Sequence, residues 1–286
     1  MIINCLTMNG FVIAAVLLAA CAHATWNTIV KTGGHKRFST VMVSAAAGII
    51  AALVLPFIRQ PDAASQPFFL SSVVLQLGYY ALLSAAYERG DMSHAYPLMR
   101  GTAPLLVAIV SGVFIGETVT PAHWLGIGCI CGGVLGLALH RGSAPGERTA
   151  TKLSLANACL IAGYTLIDGL GVRRSGAPLA YTLWIFLLTA GCQTGWQLLH
   201  EGRPFVRYLR RHWAAALVGG VGTLASYSVA LWAMTRAPVA LVAALRETSI
   251  LFATLISVLI LKERVTPQRL AATGLIAAGA LALRLV

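Results

Sequence analysis

The chain has 286 residues, is 58% hydrophobic and only 10% charged, and carries a formal net charge of +12. A soluble domain carries about 25% charged residues; this chain has too few to cover a surface facing water, so lipid must be its solvent. Its basic residues are scattered among short connections and form no stripe, which excludes a nucleic-acid footprint.

A hydrocarbon core about 30 Å thick takes about 20 apolar residues of helix. Ten such spans are predicted, at 10–31, 39–58, 68–87, 93–114, 122–140, 153–171, 179–199, 213–234, 239–261 and 268–286. They are long, rich in Leu, Ala and Val, and lack alternation, so transmembrane strands are excluded. The run before span 1, "MIINCLTMNG", has no basic n-region, and no cleavable signal is expected. The connections hold the breakers and charges, among them "RQPDAASQP", "GETVTP", "RRSGAP" and "HEGRPFVRYLRRH". Cys5, Cys21, Cys129, Cys131, Cys159 and Cys192 show no metal spacing and read as small packing residues; no metal or cofactor is expected.

Polar residues inside the spans carry the functional signal. Span 1 contains "HATWNTIVK", in which His23 and Asn27 share one face and Trp26 lies beside His23. They are candidates for a substrate-contacting strip or for hydrogen bonds between helices. Lys31 is expected to reach the interface. Tyr79 and Tyr80 in span 3, Tyr96 in span 4, and Tyr227 and Trp232 in span 8 are candidate cavity walls or packing and belt residues. Pro97 and Pro104 bracket Arg100, which predicts a kinked span 4 and exposed backbone at the depth of a site. In span 6, Tyr164 and Asp168 again share a face, while Arg173 and Arg174 read as boundary charges.

Arg246 and Glu247 stand together in "AALRETSILFA" of span 9. An arginine near the centre of a span costs about 2.5–3.5 kcal/mol on insertion scales, so Arg100 and Arg246 need partners. As a pair of guanidinium groups lining a cavity, they suit a carboxylate, phosphate or phosphonate. The structural alternative has each neutralised inside the protein, with Glu247 and Asp168 as partners. Glu247 points about 100° away from Arg246 around the helix, which makes it a second inward group or an interhelical contact. Asp168 and Glu247 are the titratable candidates for proton coupling.

"GETVTP" (116–121) and "KERVTP" (262–267) superpose at an offset of 146, which also aligns Arg100 with Arg246, Thr102 with Thr248, Ser111 with Ser257, Gly128 with Gly274 and Gly133 with Gly279. Two homologous units follow, 1–146 and 147–286, each of five helices. Five is odd, so the second unit enters the membrane inverted, an arrangement of many secondary transporters. The fold class is therefore all-α and integral to the membrane, ten helices as two inverted five-helix repeats. Glu117 and Glu263, matched at the tight turns, read as acceptors that order the turn or cap the next helix. Connections 1–2, 3–4, 5–6, 7–8 and 9–10 hold 14 Lys or Arg against 5 on the other side. That bias puts the first set in the cytoplasm and both termini outside; Arg203, Arg207, Arg210 and Arg211 are its strongest local contribution.

Two five-helix halves, each ending "E-x-V-T-P" before its last helix, resemble the drug/metabolite transporter superfamily, EamA-type, over nearly the whole chain. "HATWNTIVK", "YPLMRGTAP", "YTLIDGLGVR" and "ALRETSILFA" resemble one bacterial branch, some of whose members are linked to phosphonate use. The resemblance implies a transporter of the bacterial cytoplasmic (inner) membrane rather than an enzyme. In the related sugar-phosphate exchangers, basic residues on the fourth and ninth helices bind the anion, which implies that role for Arg100 and Arg246. The half-size multidrug exporters couple protons through a glutamate of their first helix; none stands here.

The reading is a secondary transporter of a small polar metabolite, anionic or zwitterionic, held by Arg100 and Arg246 and shaped by His23, Trp26, Asn27, Tyr79, Tyr96, Tyr164 and Tyr227. The rivals are an exporter of cationic or apolar drugs, a flippase for a lipid-linked intermediate, and a membrane enzyme. Short loops without paired carboxylates or metal spacing disfavour the enzyme. The lipid bilayer and a small-molecule substrate are the expected partners; a coupling proton and a homodimer are left open.

Overall fold

A computed structural model describes residues 9–32, 34–117, 119–138, 147–259, 262 and 266–284. Among them the chain is all helix: α1 (Gly10–Thr32), α2 (Lys36–Val54), α3 (Gln66–Arg89), α4 (Met92–Val110), α5 (Pro121–Gly136), α6 (Glu147–Ser175), α7 (Pro178–Arg211), α8 (Trp213–Met234), α9 (Val239–Arg246), α10 (Ser249–Leu259) and α11 (Pro267–Arg284). Seven stretches are long and apolar enough to cross a membrane, and α5 is a shorter apolar helix. The ten expected spans map onto these eleven helices because the ninth is broken in two. Glu263, Cys5 and the side chain of Lys31 lie outside what is described.

Local chemistry starts the helices where the sequence supplies it. Asn9 accepts from the Val12 N–H at 2.9 Å. Thr120 and His123 form a reciprocal capping box on α5, with Pro121 at its first position. A five-residue π-helix, Ser111–Ile115, ends α4 and closes on Gly116, whose φ of 73° is the left-handed region open to glycine.

Two expectations are corrected. Pro97 and Pro104 both lie inside α4. Span 9, expected to be continuous, is interrupted between Arg246 and Ser249. There the Glu247 and Thr248 N–H groups bond three residues back, to the Ala244 and Leu245 carbonyls at 3.0 and 3.1 Å. The Thr248 hydroxyl also donates to Leu245 O at 2.6 Å. A tight turn with side-chain back-bonding replaces the α ladder where four polar residues follow one another. The second correction concerns "HEGRPFVRYLRRH", read as a connection: α7 continues through it after a kink at Glu201 (φ −138°, ψ 44°).

The halves pack through their counterparts. Helix α3 lies on α6 as α1 lies on α8, α2 lies on α7, and α5 lies on α11. The last pair needs glycine: a Cβ on Gly133 would stand 2.9 Å from Ala272 O, and one on Gly279 2.7 Å from Gly126 O. Small residues that let backbones approach are how helices associate without a hydrophobic drive between them. The outer surface is apolar, with Leu18, Leu53, Val74, Phe114 and Leu125 each more than half exposed, as lipid requires.

Candidate functional site

Helices α1, α3, α5, α7 and α10 end, and α2, α4, α6, α8 and α11 begin, at one face of the bundle; here it is called the basic face. A cavity of about 160 Å³ reaches toward it. Thr40 lies about one turn into α2 and Tyr87 just before the end of α3, so the cavity extends to that face. Its deeper wall holds Tyr164, Tyr227 and Arg246.

Of the residues singled out in the sequence, His23, Trp26, Asn27, Tyr79, Tyr96, Tyr164, Tyr227 and Arg246 line this one cavity. The strip on α1 is internally tied: Trp26 Nε1 donates to His23 Nδ1 at 3.2 Å, and Asn27 Nδ2 to His23 O at 3.0 Å. Tyr79 stands edge-on to Tyr164 with centroids 6.1 Å apart. The Arg246 guanidinium lies over the Tyr227 ring at 5.0 Å, a cation–π seat, and forms no ion pair among the described residues.

Arg100 is placed differently. Its Nε donates to Glu247 Oε2 at 3.0 Å, and its Nη2 stands 2.8 Å from Oε1. The two side chains are 11% and 5% exposed, and neither residue lines the cavity. The pair expected to be symmetric is thus asymmetric: one arginine is neutralised across the halves and the other faces open space. The register explains it, because Glu247 aligns with Gly101, and only the second half brings a carboxylate.

Asp168 is fully buried and lies behind the cavity wall. Tyr227 OH donates to its Oδ2 at 2.5 Å and Tyr181 OH to its Oδ1 at 3.1 Å. Among the described residues these two phenols and the Ser72 hydroxyl hold the carboxylate, with no guanidinium within ion-pair distance. Tyr227 therefore joins Asp168, through its hydroxyl, to Arg246, through its ring.

Tyr80 also lines the cavity; Trp232 does not, and instead packs edge-on against Phe11. The sequence reading missed Gln76, Leu83 and Tyr87 in the same wall. With Tyr80 they stand at i, i+4, i+7 and i+11 on α3, a helical stripe that was there to be found. It also missed the closure at the opposite face. Arg173, taken for a boundary charge, donates from Nε to Met234 O at 2.8 Å and from Nη2 to Ala237 O at 3.0 Å and Glu117 Oε1 at 2.7 Å. Glu117 in turn accepts from the Val239 N–H at 3.0 and 2.9 Å. It caps not the helix that follows it but α9 of the other half, where its charge also suits the helix dipole. Residues 56 and 122 positions away leave no local signal of such pairing.

This is the architecture of a multi-pass membrane carrier: two repeats packed through their counterparts, with a polar cavity between them. Residues 10–139 and 150–285 match the model of the EamA-like transporter family, and the chain belongs to that family of membrane transporters. A solved crystal structure of a protein is 23% identical, superposes with a TM-score of 0.73, and is covered over 96% of both chains; at that identity the likeness shows the fold alone. No curated protein matches the chain.

Proposed function

We propose that this transporter moves a small polar anionic or zwitterionic metabolite by alternating access in the bacterial cytoplasmic (inner) membrane, with its termini outside. The observation that carries the reading is Arg246, a guanidinium that lines the cavity without a carboxylate partner among the described residues. A desolvated fork of donors at the base of a polar hollow suits a carboxylate, phosphonate or phosphate. Arg100 and Glu247 cancel each other, so they support the wall and leave Arg246 as the charge that cargo meets. His23, Asn27 and the hydroxyls of Tyr79, Tyr96 and Tyr164 supply the polar contacts around it.

Asp168 is the coupling group in this reading. Ionised, it offsets the charge of Arg246 and accepts from Tyr227. Protonated, it leaves the site one positive charge in excess and weakens the charge-assisted bond from the hydroxyl whose ring seats Arg246. Proton loading and anion binding then favour each other. The cavity reaches the basic face while Glu117 and Arg173 join the halves at the other, so this conformation faces the cytoplasm. Rocking of one repeat against the other would break that junction and expose the site outside.

The test uses purified protein. Amino acids, phosphonates, sugar phosphates and amines are screened for a rise in thermal stability, which a ligand of the native state produces by mass action. An anion or zwitterion should give the shift, and R246A should abolish both the shift and uptake into liposomes. Stabilisation by amines alone, or unchanged uptake by R246A, sinks the reading.

A further inference from the structure

Beyond the kink at Glu201, residues 202–211 of α7 form an arm at the basic face whose two sides differ. Phe205, only 1% exposed, packs edge-on against Phe38 at 5.7 Å, and Tyr208 OH shares a hydrogen bond of 2.8 Å with Ser39 Oγ. These contacts dock the arm on the start of α2. Arg203, Arg207, Arg210 and Arg211 are all exposed, at spacings of 4, 3 and 1 that set them along the opposite side. Glu201, the nearest carboxylate in sequence, is taken by Arg37 at 3.5 Å.

The apolar surface beside the arm fixes its depth. Trp196 is 61%, Leu199 84% and Trp213 66% exposed, so within two turns before and just after the arm the surface is made for hydrocarbon and its boundary. Tryptophans of this kind mark the level of the headgroups. Four guanidinium groups therefore lie where the phosphates of the bilayer lie, and phosphate is the partner that their planar forks match.

We propose that the arm is a binding surface for the headgroups of acidic phospholipids. Its apolar side is already occupied by α2, which leaves the arginines to the leaflet. The source of the anion is the bilayer, because the flanking tryptophans and Leu199 hold the arginines at its edge. Nothing in this depends on what the carrier moves.

Native mass spectrometry of the detergent-purified full chain, titrated with phosphatidylglycerol or phosphatidylcholine, tests it. The wild type should retain phosphatidylglycerol over phosphatidylcholine by at least about tenfold, given the attraction of each basic residue for an anionic surface. The variant R203Q/R207Q/R210Q/R211Q should lose that preference, and the corresponding fourfold Lys variant should keep most of it. R59Q/R236Q, changed at the opposite face, should behave as wild type. The single Gln variants, each expected to lose part of the preference, keep the test decisive where the fourfold variant does not fold. Equal retention of both lipids by the wild type, or an undiminished preference in the Gln variants, overturns the proposal.

Discussion

Arg100 and Glu247 illustrate what a buried ion pair is worth and what it is for. Desolvating two charges is costly, and their attraction returns little net stability. Removing one partner is another matter, because it strands the other charge. R100M and E247L should each destabilise the protein by about 3–5 kcal/mol, whereas the double change R100M/E247L should cost far less. Thermal unfolding of the four proteins in one detergent closes this double-mutant cycle; additive losses would mean that the pair is not coupled. Tyr227 is the other informative position. Y227F keeps the ring beneath Arg246 and deletes the bond to Asp168. Under the proposed coupling, exchange of labelled substrate across liposomes should persist while gradient-driven uptake falls about tenfold or more, as loss of a hydrogen bond to a charged group implies. Equal loss of both activities would assign Tyr227 to binding alone.

At the scale of elements, the contact between α5 and α11 depends on what is absent. Gly133 and Gly279 have backbone atoms of the facing helix where a Cβ would go, so substitution there must move a helix rather than a side chain. G133V and G279V should each lower stability by about 1–3 kcal/mol or more. Gly128 and Gly274, their neighbours in the same repeat alignment, have open space at the Cβ position. G128A and G274A should be neutral or stabilising by up to about 1 kcal/mol. Melting temperatures of the four variants check the contrast. The break between α9 and α10 follows the same logic of local cause: four consecutive polar residues, and a threonine hydroxyl that competes for the ladder.

At the scale of the molecule, the two faces of the bundle are unlike. The basic face admits the cavity; the other is joined across the halves by Glu117, Arg173 and the first N–H of α9. Under the proposed rocking, that junction must open for the site to be exposed at this face. Replacing Glu117 with glutamine removes the charge that holds Arg173 and weakens the cap on Val239. Hydrogen exchange in residues 239–246 should then quicken by about tenfold or more, since a hydrogen bond to a charged group contributes about 1.5–3 kcal/mol. Exchange unchanged there would show that the junction is incidental to the closure of that face.

The family and the ten-helix architecture were legible in the residues because both are periodic. Apolar runs of membrane length, breakers between them, and polar identities recurring at one offset are properties of neighbouring positions or of a fixed spacing. Most of the cavity wall was legible for a related reason: a polar or aromatic group within an apolar span is an exception that must find a partner. Which partner was beyond the sequence. That Glu247 turns to Arg100 and leaves Arg246 to the Tyr227 ring, that Tyr227 serves Asp168, and that Glu117 reaches past its own turn to α9 are consequences of packing two halves together. Short-range physics sets the helices, but pairing between residues 50 to 150 positions apart is settled only by which faces meet when the bundle closes.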